Sequence, residues 1–152
     1  MTNAFDIETQ RVPTMLIVDD EALLRVALSH YLQECGFTVL EAVNADEAVL
    51  ILDKGGIAID LVLTDVTLPG SIDGFGLATW IRKNRPGLPV FLVSGDQKKV
   101  IAAKELCAGE PFFAKPYDLD LLVMGIRKVL GRAGNDNGRS PLPRNRFQVP
   151  VN

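Results

Sequence analysis

Four short apolar runs recur along the chain, and a polar residue closes each of them. They are Met15-Leu16-Ile17-Val18 before Asp19-Asp20, Leu61-Val62-Leu63 before Thr64-Asp65, Val90-Phe91-Leu92-Val93 before Ser94, and Phe112-Phe113-Ala114 before Lys115. Unbroken apolar runs without alternation mark strands covered on both faces, and hence a parallel sheet. A shorter run, Phe37 to Leu40, follows Cys35-Gly36, a helix stop and turn signal. Helical periodicity fills the gaps. Leu24, Ala27, Leu28, Tyr31 and Leu32 share one face of a first helix. A second opens at Asn44 as cap, has Glu47 in capping-box position and stops at Gly55-Gly56. A third runs from about Asp73 to Asn84, ahead of Pro86-Gly87. A fourth, Gln97 to Cys107, has the weakest stripe, mainly Val100 and Ile101. The fifth, Asp118 to Leu130, sets Leu119, Leu122, Val123, Ile126, Val129 and Leu130 on one side. Strands alternating with helices five times over predict a doubly wound α/β domain.

Composition narrows the class. A chain of 152 residues, 47% apolar and 23% charged, is long enough for one domain with a real core. No apolar run approaches the ~20 residues that a membrane span needs. Met1 to Pro13 carries Asp6 and Glu8 and lacks the apolar centre of a secretory signal. Cys35 and Cys107 stand far apart without metal-site spacing, so a reduced, cytoplasmic location is expected, with both packing as small apolar residues. Four arginines (Arg132, Arg139, Arg144, Arg146) against Asp136 give the segment after Gly131 a charge of +3, so that of the total of −3 the first 131 residues carry −6. An acidic domain repels phosphates, which argues against a nucleic-acid partner. The organisation expected is a flexible N-terminus over 1–12, one domain over 13–131 and a disordered basic tail over 132–152, with no output domain after it.

The chemistry collects at one edge. Open parallel α/β sheets bind ligands beyond the carboxyl ends of their strands, where strand order reverses. Those ends carry Asp19, Asp20, Asp65, Ser94 and Lys115. Two carboxylates about 5 Å apart repel by roughly 3 kcal/mol at an effective dielectric near 20, so such a cluster calls for a hard cation. Magnesium suits it: it takes oxygen ligands, accepts one or two carboxylates and bridges to phosphate oxygens. Carboxylates, Mg2+, a lysine and a hydroxyl together describe a pocket that stabilises a phosphoryl group on one carboxylate.

With these residues in place, the chain resembles the bacterial two-component response-regulator receiver family over about residues 13–131. The matching pieces are Val18-Asp19-Asp20-Glu21, Asp65-Val66-Thr67-Leu68-Pro69-Gly70, Ser94-Gly95 and Lys115-Pro116, in this order and on these elements. The resemblance implies a flavodoxin-like sheet of strand order 2-1-3-4-5 with five helices. It implies Asp65 as phosphoacceptor, Asp20 as direct magnesium ligand, Asp19 as a ligand through water, and the Thr67 carbonyl completing the set. It further implies Lys115 pairing with the phosphoryl oxygens across a cis peptide to Pro116, and Ser94 moving toward the phosphoryl group. Phe112 falls at the position of a rotating aromatic, where it would switch by packing alone. The implied partners are a histidine kinase or phosphotransfer protein as donor and a downstream protein met through the fourth and fifth helices. No membrane partner is expected, and the protein would be a monomer or weak homodimer that signals rather than turning over a small substrate.

Two features depart from the family pattern: Pro69 to Gly74 is one residue longer than in its shortest members, and the fourth helix is short and poorly amphipathic. In the family, the positions of Thr67 and Asp96 tune hydrolysis of the acyl phosphate. Leu121 and Met124 are expected to turn away from the core as part of a partner surface. His30 reads as a surface helix residue, and Trp80 as a packing residue able to report on the site by fluorescence. Two rival readings are a phosphorylation-independent binding module on the same scaffold and an aspartyl-phosphate phosphatase. The intact acidic set opposes the first; Thr67, where such phosphatases carry a second acid, opposes the other.

Overall fold

The computed structural model describes residues 11–95 and 112–134. In chain order the elements are β1 (Thr14–Val18), α1 (Ala22–Glu34), β2 (Thr38–Ala42), α2 (Ala45–Lys54), β3 (Leu61–Asp65), α3 (Gly74–Asn84), β4 (Val90–Ser94), β5 (Phe112–Ala114) and α4 (Leu119–Gly134). The five strands form one sheet in the order β2-β1-β3-β4-β5, and every neighbouring pair is parallel. This is the flavodoxin-like order that the family resemblance implies.

The unbroken apolar runs are explained by cover on both faces. Along β1, Leu16 and Val18 join a core with α2 and α3, while Met15 and Ile17 face the other way, toward α1 and α4. β3 and β4 divide likewise, Val62, Val90 and Leu92 on the first side, Leu61, Leu63, Phe91 and Val93 on the second. Burying one such side chain contributes about 1.5–3 kcal/mol, so each strand is committed to its depth twice over. β2, at the sheet edge, is only partly covered.

Local signals set the helix ends. Asn44 Oδ1 accepts from the Glu47 N–H at 2.8 Å, and Glu47 Oε1 accepts from the Val43 N–H at 2.8 Å, one residue before the usual capping-box donor. Asp73 caps α3 by accepting from the Gly76 N–H at 2.9 Å, and Asp118 accepts from the Asp120 N–H ahead of α4. On α4, Leu122, Val123 and Ile126 are buried as their spacing predicts.

The stripe predicted for α1 holds over half its length. Leu28 and Leu32 are buried and Tyr31 packs beside them, but Leu24 and Ala27 are exposed. Periodicity identifies a face but not how much of it a neighbour covers. Leu121 and Met124 are half-buried on α4. The expected fourth helix with Asp96 and Cys107, the N-terminal segment to residue 10, the tail from residue 135 and the Phe112 side chain lie outside the described residues. Among the described residues, no helix is long and apolar enough to cross a membrane.

Candidate phosphoacceptor and metal site

The sheet's order of strands reverses between β1 and β3, since β1 connects outward to β2 while the chain then returns to β3 on its other side. Val18 pairs with Thr64 in register, so Asp19 and Asp65 emerge side by side at that switch point. One oxygen from each of Asp19, Asp20 and Asp65 lies within 4.8 Å of the others. Asp19 is buried, Asp65 half-buried and Asp20 exposed, a gradient from the sheet to solvent.

Each inner carboxylate is held by both its oxygens. Asp65 Oδ1 accepts from the Thr67 N–H at 3.0 Å, and its Oδ2 accepts from Lys115 Nζ at 2.8 Å. Asp19 Oδ1 accepts from the Glu21 N–H at 2.9 Å, and its Oδ2 lies 3.4 Å from the same ammonium. Lys115 reaches both because its N–H donates to the Ser94 carbonyl at 2.8 Å, which continues the β4–β5 ladder past Ala114. The Lys115–Pro116 peptide is cis. Burial opposes the charge on Lys115, but the hydrogen bond and charge of Asp65, then those of Asp19, outweigh it, and its pKa is raised. Burial likewise raises Tyr117, with Lys115 pulling down and Asp19 and Asp65 pushing up. Ser94 is buried at the end of β4. Thr67 is exposed two residues beyond Asp65.

Two supports of the site were not anticipated from the sequence. Arg25 donates from NH1 to the Asp19 carbonyl at 2.8 Å and pairs through Nε with Glu41 Oε1 at 2.8 Å, and its side chain is 13% exposed. A charged residue on a helix reads as solvated; the available signal was its position between Leu24 and Val26, beside the apolar stripe. The longer segment after Pro69 is the second. Ser71 Oγ donates to Asp46 Oδ1 at 2.6 Å and its N–H to Oδ2 at 3.3 Å, which ties the segment to the first turn of α2. Nothing in spacing joins Asp46 to Ser71; only the fold does.

The donor set fits a magnesium ion. Its oxygens are hard, they converge from three carboxylates, and the exposed Asp20 leaves room for water ligands. Asp19, Asp20, Asp65 and the Thr67 carbonyl would hold the ion, which would neutralise charge that Lys115 offsets only in part.

Known proteins share this fold. The family model described as "Response regulator receiver domain" matches residues 15–127. A cyclic di-GMP phosphodiesterase of Thermotoga maritima is 36% identical over 118 residues, 77% of this chain and 31% of that protein. The sensor kinase CckA of Brucella abortus is 34% identical over 119 residues, 77% of this chain and 12% of that protein. The chain thus spans a third or less of the length of these curated relatives. Among solved structures, the response regulator TrrA of Thermotoga maritima, in complex with Mg(2+)-BeF, superposes with a TM-score of 0.70 at 29% identity, covering 78% of this chain and 99% of that one. A putative response regulator of Chloroflexus aurantiacus gives 0.70 at 31% identity, covering 80% of this chain and all of that one.

Proposed function

The chain belongs to the response-regulator receiver family of two-component systems, and from that premise we propose that it is a magnesium-dependent switch phosphorylated on Asp65. The observation that carries this reading is the pair of hydrogen bonds on the Asp65 carboxylate, one to a backbone N–H and one to Lys115, beside two further carboxylates.

A histidine kinase or phosphotransfer protein is the donor in this reading. An Asp65 oxygen attacks the phosphorus of the donor's phosphohistidine, the P–N bond breaks, and its electron pair returns to the imidazole nitrogen. The product is an acyl phosphate on Asp65. The Thr67 N–H keeps the carboxylate oriented during attack, and Lys115 moves its hydrogen bond from Oδ2 to a phosphoryl oxygen as charge shifts outward. Asp20, Asp65, the Thr67 carbonyl and, through water, Asp19 would hold a magnesium ion, which would supply charge neutralisation to the phosphoryl oxygens. Ser94, buried at the end of β4, hydrogen-bonds the phosphoryl group and draws its strand end with it. Output passes through protein binding at the fifth predicted helix, α4 here, and the segment before β5. The protein is a signalling switch rather than an enzyme acting on a small substrate.

Intact-mass spectrometry after incubation with acetyl phosphate and magnesium tests the proposal. One phosphoryl group should be gained in wild type, and none in Asp65→Asn or in the presence of a chelator. Absence of the adduct in wild type would favour a constitutive binding module on the same scaffold.

A further inference from the structure

The loop after β3 carries the Thr67 carbonyl and then makes an excursion before α3. Its near end is anchored by Val66 and Leu68, both buried in the core. Its far end is anchored by Asp73, which caps α3. Between them the chain reverses at Gly70, whose φ of +109° is a conformation that side-chain-bearing residues rarely adopt. The Asp46 carboxylate lies against this reversal. Its Oδ2 is 2.9 Å from the position a Cβ on Gly70 would take, and both its oxygens accept hydrogen bonds from Ser71.

Asp46 is a firm support. It stands in the first turn of α2, behind the Asn44 cap and between Ala45 and Ala48, both fully buried against the core. The Asp46–Ser71 bonds therefore join the loop to the first turn of α2, whose Ala45 and Ala48 are buried in the core. A loop already held in its working shape loses less conformational freedom when a ligand binds.

We propose that Asp46 is a positioning residue for magnesium: by holding Ser71, it sets the loop that presents the Thr67 carbonyl to the ion. This rests on the magnesium site proposed above. The tie acts through its hydrogen bonds, so keeping the charge on Asp46 while removing the Ser71 hydroxyl weakens it. Asp46→Asn retains an acceptor oxygen for that hydroxyl and preserves more of the tie than Asp46→Ala.

Calorimetric titration with MgCl2 of the full chain separates the possibilities. Ser71→Ala and Asp46→Ala should each weaken magnesium binding by roughly three- to tenfold, the worth of one net hydrogen bond. The double variant should be no weaker than Asp46→Ala alone, which already removes both of the Ser71 hydrogen bonds. Asp46→Asn should lie nearer to wild type, and the half-maximal magnesium concentration for adduct formation should move by the same factor in each variant. Both residues are exposed, so the variants fold, and unfolding curves without metal verify it. If wild type binds magnesium while Ser71→Ala binds it equally well, the positioning role is overturned and the site stands. The positioning role also falls if Asp46→Asn is as weak as Asp46→Ala, since charge alone would then account for the loss. If wild type itself fails to bind, the magnesium site is overturned and the positioning role with it.

Discussion

Gly74 lies against Asp65 so closely that a Cβ at Gly74 would sit 2.1 Å from the Asp65 carbonyl oxygen and 2.7 Å from the Val66 Cα. The Gly74 N–H donates to the Val66 carbonyl at 2.8 Å, so the first residue of α3 closes on the backbone that carries Asp65. The contacted atoms are main chain and cannot rotate away. Gly74→Ala should therefore cost roughly 3 kcal/mol, the upper end of overpacking. Urea unfolding would show this as a lower midpoint, with loss of adduct formation as the Asp65 turn is displaced.

Lys115 should restrain the metal as well as assist the phosphoryl group. Its ammonium, 2.8 and 3.4 Å from Asp65 and Asp19, would compete with a magnesium ion for them. Its pKa is raised, so the stability the pairing contributes is fully present below the ordinary lysine value and is lost only as pH rises through the higher one. The competition thus persists across the neutral range. Lys115→Ala should bind magnesium about tenfold more tightly, from the repulsion removed. It should also yield less adduct from acetyl phosphate; titration calorimetry and intact mass read the two effects separately.

A bound cation would relieve the repulsion among the three carboxylates. At a magnesium concentration a hundred times its Kd, the folded state should gain about 2.7 kcal/mol. For a chain of this size that raises Tm by roughly 5–10 °C. Differential scanning calorimetry should show the gain reversed by chelator, and reduced in Asp20→Asn. Calcium, with its larger radius and higher coordination number, should reproduce it only in part.

The tyrosines provide a pH marker. The hydrogen bond that the Tyr31 hydroxyl donates to Asp120 joins α1 to α4 and, with burial and charge adding, pushes its pKa up to about 12. Tyr117 is also raised, chiefly by burial. A raised phenol contributes stability that is complete below pH ~10 and disappears as pH climbs through the folded-state value. Ultraviolet titration should find both ionising above the ordinary tyrosine value in the folded chain. Tyr31→Phe should remove the upper step and flatten the loss of stability in that range.

Much of the fold was legible because its signals are local. The strand runs, the Asn44 cap, the start of α3 near Asp73, the glycine stops and the buried face of α4 each depend on residues close in the chain. The half-exposed face of α1 was not legible, because cover is supplied by elements distant in sequence. The same limit applies to Arg25: its charge is local, but the Asp19 carbonyl and Glu41 that receive it arrive only when β1, α1 and β2 pack together.

The sequence by itself singled out the residues proposed to carry the chemistry. Placing Asp19, Asp20, Asp65, Ser94 and Lys115 at the ends of buried strands leaves them one edge to share, since parallel strands all end on the same side. Only the tertiary structure decided how they are held: Lys115 bridging two carboxylates, Arg25 gripping a carbonyl, Asp46 receiving Ser71, Gly74 against Asp65. Hydrophobic periodicity is a property of one segment and survives in the sequence. A hydrogen bond between segments depends on angles and distances that come into being only when the sheet and its helices have packed.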